Sequence, residues 1–169
     1  MDVTSKVPAG NCNVTSDSIY FSKVVLFLFA ISEEQGKLDE SIDEYGKALK
    51  INPNFEVAHN NLGIAYFKKG LTGKAIKEYE KTLHINPYYA DGRYNLGVTY
   101  FQLGRVNQAI AEYKKALEIN PYYAEAHDNL AFAYYSRGER RKAMEQVEKA
   151  IKLGLKVSPE LLKLLGPPR

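Results

Sequence analysis

The amino-acid sequence predicts an all-α solenoid of antiparallel helix pairs, and three observations carry that prediction. A register of 34 residues recurs along the 169-residue chain: Gly36, Gly70, Gly104 and Gly138; Tyr45, Tyr79 and Tyr113 with Val147; and Pro53, Pro87 and Pro121, each after an Ile-Asn pair. Leu28, Leu62, Leu96 and Leu130 keep the same register, as do Ser41, Ala75, Ala109 and Ala143. Within each window apolar residues return every three or four positions, as in His59, Leu62, Ala65 and Tyr66, and then Ala75, Ile76, Tyr79 and Leu83, which is helical rather than strand spacing. Small residues (Gly63, Gly97 and Ala131; Ala48, Ala116 and Ala150) stand where two helices approach closely.

Taken in chain order, residues 1–18 are rich in Ser, Thr, Asn, Gly and Pro and read as a flexible leader. Residues 19–31 contain an unbroken apolar run, Val24 to Ile31. They are too short to cross a bilayer alone and read as a buried first helix, with an anchoring or self-association segment as the alternative. The repeats occupy 22–55, 56–89, 90–123 and 124–157. Each is two helices: the internal glycine suits a left-handed helix-ending position, and the Asn-Pro pair closes the second helix because proline disfavours helical backbone before it. One such pair cannot bury its apolar stripe, so neighbours must stack into a continuous core. Ser158-Pro159-Glu160 reads as a helix start, and Leu161, Leu162, Leu164 and Leu165 of a capping helix at 158–165 are expected to cover the last repeat. The expected organisation is one domain over 19–166 with a tail at 167–169.

Leu62-Gly63, Tyr66, Gly70, Ala75, Tyr79 and Pro87, repeated as Leu96-Gly97, Tyr100, Gly104, Ala109, Tyr113, Ala116 and Pro121, resemble the tetratricopeptide repeat. The resemblance implies a right-handed superhelix and a protein-binding role without catalysis. Thr82 in a small-residue slot, Leu155 in a proline slot and Phe29 in a Gly/Ala slot depart from the pattern. A hydroxyl returned to the carbonyl one turn back accommodates Thr82.

Composition and motifs exclude other classes. The net charge of +3 is small and evenly mixed, so no nucleic-acid partner is expected. The single cysteine, Cys12, excludes an internal disulfide framework. Together with the lack of an export-like N-terminus it favours the cytoplasm, the alternative being membrane association through the N-terminal segment. His59 and His127, two periods apart, occupy a slot that holds an aromatic packing residue in the resembled family; His84 falls near a helix end. No phosphate loop, nucleophile elbow or metalloprotease motif occurs, so neither catalysis, a metal nor a cofactor is expected. Lys74, Lys77, Glu78, Glu80 and Lys81, with Gln108, Glu112, Lys114 and Lys115, read as a solvated outer face, and Arg137, Arg140, Arg141 and Lys142 as an isolated basic cluster.

The binding candidates lie on the first helix of each repeat, which curvature makes concave. Asn61, Asn95 and Asn129 share one slot; asparagine is a mediocre helix former whose amide offers both a donor and an acceptor. In arrays of the resembled family an asparagine there holds the backbone of an extended peptide; the alternative is a contact between neighbouring repeats. Around them stand Asn60, Ile64, Phe67 and Lys68; Asp91, Tyr94, Val98 and Phe101; and Glu125, Asp128, Phe132 and Tyr135. This lining suits a peptide with a few apolar residues and a basic one facing Asp91, Glu125 and Asp128. The family subclass that grips a C-terminal carboxylate does so with two basic residues and two asparagines; its slots here hold Asn60, Ile64, Asn95, Glu125 and Asn129, or one repeat earlier Leu26, Ala30, Asn61, Asp91 and Asn95, with no basic residue in either register. The expected function is therefore a noncatalytic adaptor for a protein or peptide partner, with a scaffold that oligomerises through its N-terminal helix as the alternative.

Overall fold

The helical spacing closes into helix pairs in the computed structural model, which describes residues 37–166. Among those residues there are eight α-helices: α1 (Leu38–Ile51), α2 (Glu56–Lys68), α3 (Thr72–Ile85), α4 (Ala90–Gln102), α5 (Val106–Ile119), α6 (Ala124–Ser136), α7 (Arg140–Lys152) and α8 (Pro159–Leu165). Helix α1 is the second helix of the first repeat; α2–α3, α4–α5 and α6–α7 are the next three pairs. The expectations for the leader 1–18, the apolar segment 19–31, Gly36 and the tail 167–169 lie outside the described residues.

Each turn between paired helices follows from its glycine. Gly70, Gly104 and Gly138 adopt φ of +75°, +72° and +77°, the left-handed region a Cβ would penalise. The chain then donates back across the turn, Leu71 N to Tyr66 O and Gly70 N to Phe67 O at 2.9 Å, and the same two bonds recur after α4 and α6. The fourth repeat, which carries Leu155 in the proline slot, ends α7 by the same device at Gly154, with φ +87°. At the other three repeat junctions the asparagine before proline is extended and its side chain adds a bond: Asn52, Asn86 and Asn120 each accept, through Oδ1, the N–H two residues on at 3.1 Å.

The small residues make room for aromatic rings. A Cβ built on Gly63 would stand 2.5 Å from the Tyr79 ring, and one on Gly97 2.7 Å from the Tyr113 ring. Tyr79 and Tyr113 are fully buried. In the fourth pair, where valine replaces the tyrosine, Ala131 replaces the glycine, and Ala131 and Val147 share one core cluster. Thr82 donates to Glu78 O at 3.0 Å, as its spacing required, and also approaches Glu56 O at 3.3 Å.

The cap differs from expectation. Leu161 and Leu165, four apart on one stripe, are buried against Ala131, Ala143 and Val147, whereas Leu162 and Leu164 are exposed. A seven-residue helix presents one stripe to its neighbour, and positions 162 and 164 fall on its flanks. The Arg140 guanidinium donates to the carbonyl of Leu165, taking one member of the basic cluster into the cap.

Burial raises the phenol pKa of Tyr45, Tyr79 and Tyr113 above the ordinary value near 10. An acid whose folded pKa is raised contributes stability that is complete below its unfolded pKa and is lost as pH climbs through the folded one. Urea midpoints followed by circular dichroism should hold steady to about pH 9 and fall beyond about pH 10. Substituting Tyr45 with phenylalanine should shrink that fall, and an unchanged alkaline slope would refute the burial effect.

Consecutive first helices touch each other, α2 with α4 and α4 with α6, while consecutive second helices approach less closely. The first helices therefore line the inner side of the array and the second helices its outer side.

Candidate functional site

The inner side is built from α2, α4 and α6, and its polar residues are joined across repeats. Asn95 Nδ2 donates to Asn60 Oδ1 at 3.0 Å, and Asn129 Nδ2 donates to the Tyr94 hydroxyl at 2.9 Å; both partners stand 35 residues earlier. Asn60 in turn reaches Asn61 Oδ1 at 3.4 Å. Asn61, only 6% exposed, has a buried Nδ2 that meets no acceptor at hydrogen-bonding geometry among the described residues, though its side chain bears on the Tyr45 phenol. The three equivalent asparagines thus differ: Asn61 is buried, as is its neighbour Asn60, while Asn95 and Asn129 are half-buried, each with one amide N–H bonded to the preceding repeat. The sequence could not separate these cases, because all three stand at the same helical slot.

Apolar candidates are half-buried in the second, third and fourth repeats. Ile64 and Phe67 pack on the cluster of Ala75, Tyr79 and Leu96. Tyr94, Val98 and Phe101 pack on Ala109, Ile110, Tyr113 and Leu130, and Phe132 and Tyr135 on the cluster holding Ala131 and Val147. Each keeps part of its surface outside the core.

Acidic and aromatic groups meet between α4 and α6. The Tyr94 ring lies 4.8 Å from that of Tyr123 and 6.1 Å from that of Tyr113, centroid to centroid. Burial first, then the Glu125 carboxylate, raises the Tyr94 phenol; burial and Asp91 do the same for Tyr123. Burial also raises the Asp128 carboxyl, whose Oδ1 is buried with no hydrogen-bond partner among the described residues. Asp91 and Glu125, both exposed, add to its charge, and three carboxyl groups together favour a cation over an anion beside them.

A second set of polar residues went unrecognised in the sequence. His59 Nδ1 lies 2.6 Å from Glu78 Oε2 and its Nε2 lies 3.0 Å from Pro53 O. Arg93 holds Glu112 at 3.0 Å and Pro87 O at 3.4 Å. His127 holds Gln146 Oε1 at 2.7 Å and Pro121 O at 3.1 Å. One side chain per repeat thus clamps the preceding junction loop to the second helix of its own pair. Glu78 and Glu112, expected on the solvated outer face, are 8% and 9% exposed because they answer this clamp. Polar residues 19 apart in the second, third and fourth pairs (59 and 78, 93 and 112, 127 and 146) were the signal that could have found it. His84 is exposed, near the end of α3. Among the described residues no group of three or more His, Cys, Asp or Glu could hold a metal ion, and no helix is long and apolar enough to cross a membrane.

Comparison with known proteins agrees with this architecture. The sequence model described as TPR repeat matches residues 34–70, 72–104 and 97–138, and that described as Tetratricopeptide repeat matches 124–158. No curated protein sequence matches significantly. Among solved structures, a MamA protein is 28% identical with a TM-score of 0.69, over 83% of this chain and 74% of that one. TTC0263, a thermophilic TPR protein of Thermus thermophilus, is 27% identical with a TM-score of 0.67, over 87% and 78%. A further MamA structure, 24% identical with a TM-score of 0.71 over 83% and 82%, shares the fold.

Proposed function

The chain belongs to the tetratricopeptide-repeat family, whose helix-pair arrays generally mediate protein–protein interactions, and from that premise we propose that its inner side binds an extended peptide segment of a partner protein without catalysis. The observation that carries this reading is the repetition of half-buried apolar positions, Ile64, Val98 and Phe132 in one row and Phe67, Phe101 and Tyr135 in another. Such rows offer side-chain contacts at one repeat's spacing. The amide oxygens of Asn95 and Asn129 can accept from peptide N–H groups, while one N–H of each amide is bonded to the preceding repeat and holds the side chain in place. Asn60 and Asn61 act as supports for that row. Asp128, with Asp91 and Glu125, favours a basic peptide residue beside Tyr94.

Magnitudes set the affinity. Two amide contacts at about 1 kcal/mol each, with two or three apolar side chains at about 1.5–3 each, leave about micromolar binding once ordering is subtracted. Displayed random peptides selected on the folded chain should converge on apolar residues flanking a Lys or Arg. The pair Asn129→Ala and Asp128→Asn should weaken the selected peptide about tenfold with helicity unchanged. Equal binding by this variant would remove the inner side from the mechanism.

The same acidity predicts what the groove refuses. A peptide ending in Glu-Glu-Val-Asp would bring its carboxylates to Asp91, Glu125 and Asp128, with no cation at the slots held by Asn60, Ile64, Asn95, Glu125 and Asn129. Calorimetry should detect no submicromolar binding of such a peptide.

A further inference from the structure

A pocket of about 480 Å³ opens on the outer side, between α5 and α7, with α6 beneath it. The volume falls within the range of about 300–1,000 Å³ common to small-ligand sites. Its apolar surface comes from Leu117, Leu130, Tyr134 and Leu153, and Tyr122, 79% exposed, stands at its edge. Lys114 on α5 and Lys149 and Lys152 on α7 also line it, against the single acid Glu118.

The lysines differ from their counterparts elsewhere in the array. In the second pair Lys81 is held by Glu78 at 2.8 Å, and in the third Lys115 is held by Glu112 at 2.7 Å. Lys149 occupies that same register in the fourth pair, but the residue three before it is Gln146, whose Oε1 is bonded to His127. Neutralising that one position releases the Lys149 charge. Among the described residues, neither Lys149, Lys114 nor Lys152 takes part in an ion pair. The matching pocket between the first and second repeats is smaller, about 330 Å³, and has Asn54 where this one has Tyr122 and the paired Lys81 where this one has Lys149.

We infer that this outer pocket is a second docking site, for an acidic peptide segment of a partner protein whose apolar side chain enters between Leu117 and Leu153 while its carboxylates meet Lys114, Lys149 and Lys152. The occupant follows from charge complementarity: an apolar hollow rimmed by uncompensated cations suits an apolar residue with adjacent Asp or Glu. This surface lies on the opposite side from the inner groove and has the opposite charge preference, so one chain could hold two different partners. The inference stands on its own lining and does not depend on the groove.

The test is fluorescence anisotropy on the full chain with labelled Asp-Glu-Leu-Phe-Asp-Glu. The comparison peptides are Lys-Lys-Leu-Phe-Lys-Lys and Asp-Glu-Gly-Ser-Asp-Glu. Saturable binding is expected for the first alone. Gln146→Glu, which restores the acid that captures the equivalent lysine in the other pairs, should weaken it about tenfold, as should Lys149→Gln. Lys115→Gln, outside the pocket, and Asn129→Ala, in the inner groove, should leave it unchanged. No saturable binding by the first peptide, equal binding by either comparison peptide, or indifference to both Gln146→Glu and Lys149→Gln would overturn the proposal. If Gln146→Glu alters helicity or the melting midpoint, Lys149→Gln decides, since its side chain is exposed and unbonded among the described residues. A loss seen with Asn129→Ala instead would place the peptide in the groove and overturn the second site.

Discussion

Gly97→Ala is expected to lower the stability of the array by about 1–3 kcal/mol, and adding Tyr113→Val is expected to return part of that loss. Two effects oppose each other at Gly97. Alanine in a helix interior is favoured over glycine by about 1 kcal/mol through backbone entropy. Against it, the new Cβ would lie 2.7 Å from two carbons of the Tyr113 ring, well inside van der Waals contact. The ring cannot swing away, because Tyr113 is 1% exposed among Ala109, Ile110 and Leu130. Overpacking should therefore win. The chain carries its own control in the fourth repeat, where Ala131 and Val147 fill the same two slots and are both buried. Tyr113→Val alone should also destabilise, since it leaves a cavity above Gly97. The double variant should be more stable than the sum of the two single losses implies, which is the signature of direct contact. Urea denaturation of all four proteins checks it. If Gly97→Ala is stabilising, or the two changes simply add, glycine does not serve the ring at this position.

A repeat reveals most plainly what each of its windows must solve for itself. The helix pairs, the left-handed glycines and the close helix approaches were legible because each recurs at an unchanged offset and answers a backbone or packing need within one window. What the inner asparagines bond to was not legible in the same way. Their partners lie 35 residues back, one repeat plus one residue, and those partners change from Asn60 to Tyr94. Asn61 has no such partner among the described residues, and its side chain bears instead on the Tyr45 phenol. Recurrence of one residue type thus marked a contact between neighbouring repeats as strongly as it would mark a ligand contact. The acids on the second helices escaped for a related reason. A single-helix wheel puts Glu78 and Glu112 beside exposed lysines, and only the opposing helix of the pair, 19 residues earlier, explains why they are buried. The cap was half legible: four leucines signalled burial, but the short helix has room for two.

Glu112→Ala is expected to cost about 2–3 kcal/mol, at or below the low end of the range for breaking a buried ion pair. Arg93 donates to Glu112 Oε2 at 3.0 Å and more weakly to Pro87 O at 3.4 Å, while its Nε is buried without a hydrogen-bond partner among the described residues. Their side chains are 21% and 11% exposed, so removing the acid strands a guanidinium that water reaches only in part. That partial access is why the low end applies. Loss of the second contact of Glu112, to Lys115, should add little, because the Lys115 side chain is 48% exposed. The fourth repeat again supplies a remedy. There His127 and Gln146 perform the same clamp without an acid, reaching the junction carbonyl of Pro121 at 3.1 Å. The double substitution Arg93→His with Glu112→Gln imports that pair and should recover most of the stability lost in Glu112→Ala. Arg93→His alone should fall between the two, since histidine can still meet Glu112 as His59 meets Glu78. Thermal and urea midpoints of the four chains decide the matter. A Glu112→Ala chain within about 0.5 kcal/mol of the parent would show that the clamp is a surface ion pair of little weight. A double variant no better than Glu112→Ala would show that the clamp of one repeat cannot substitute for that of another.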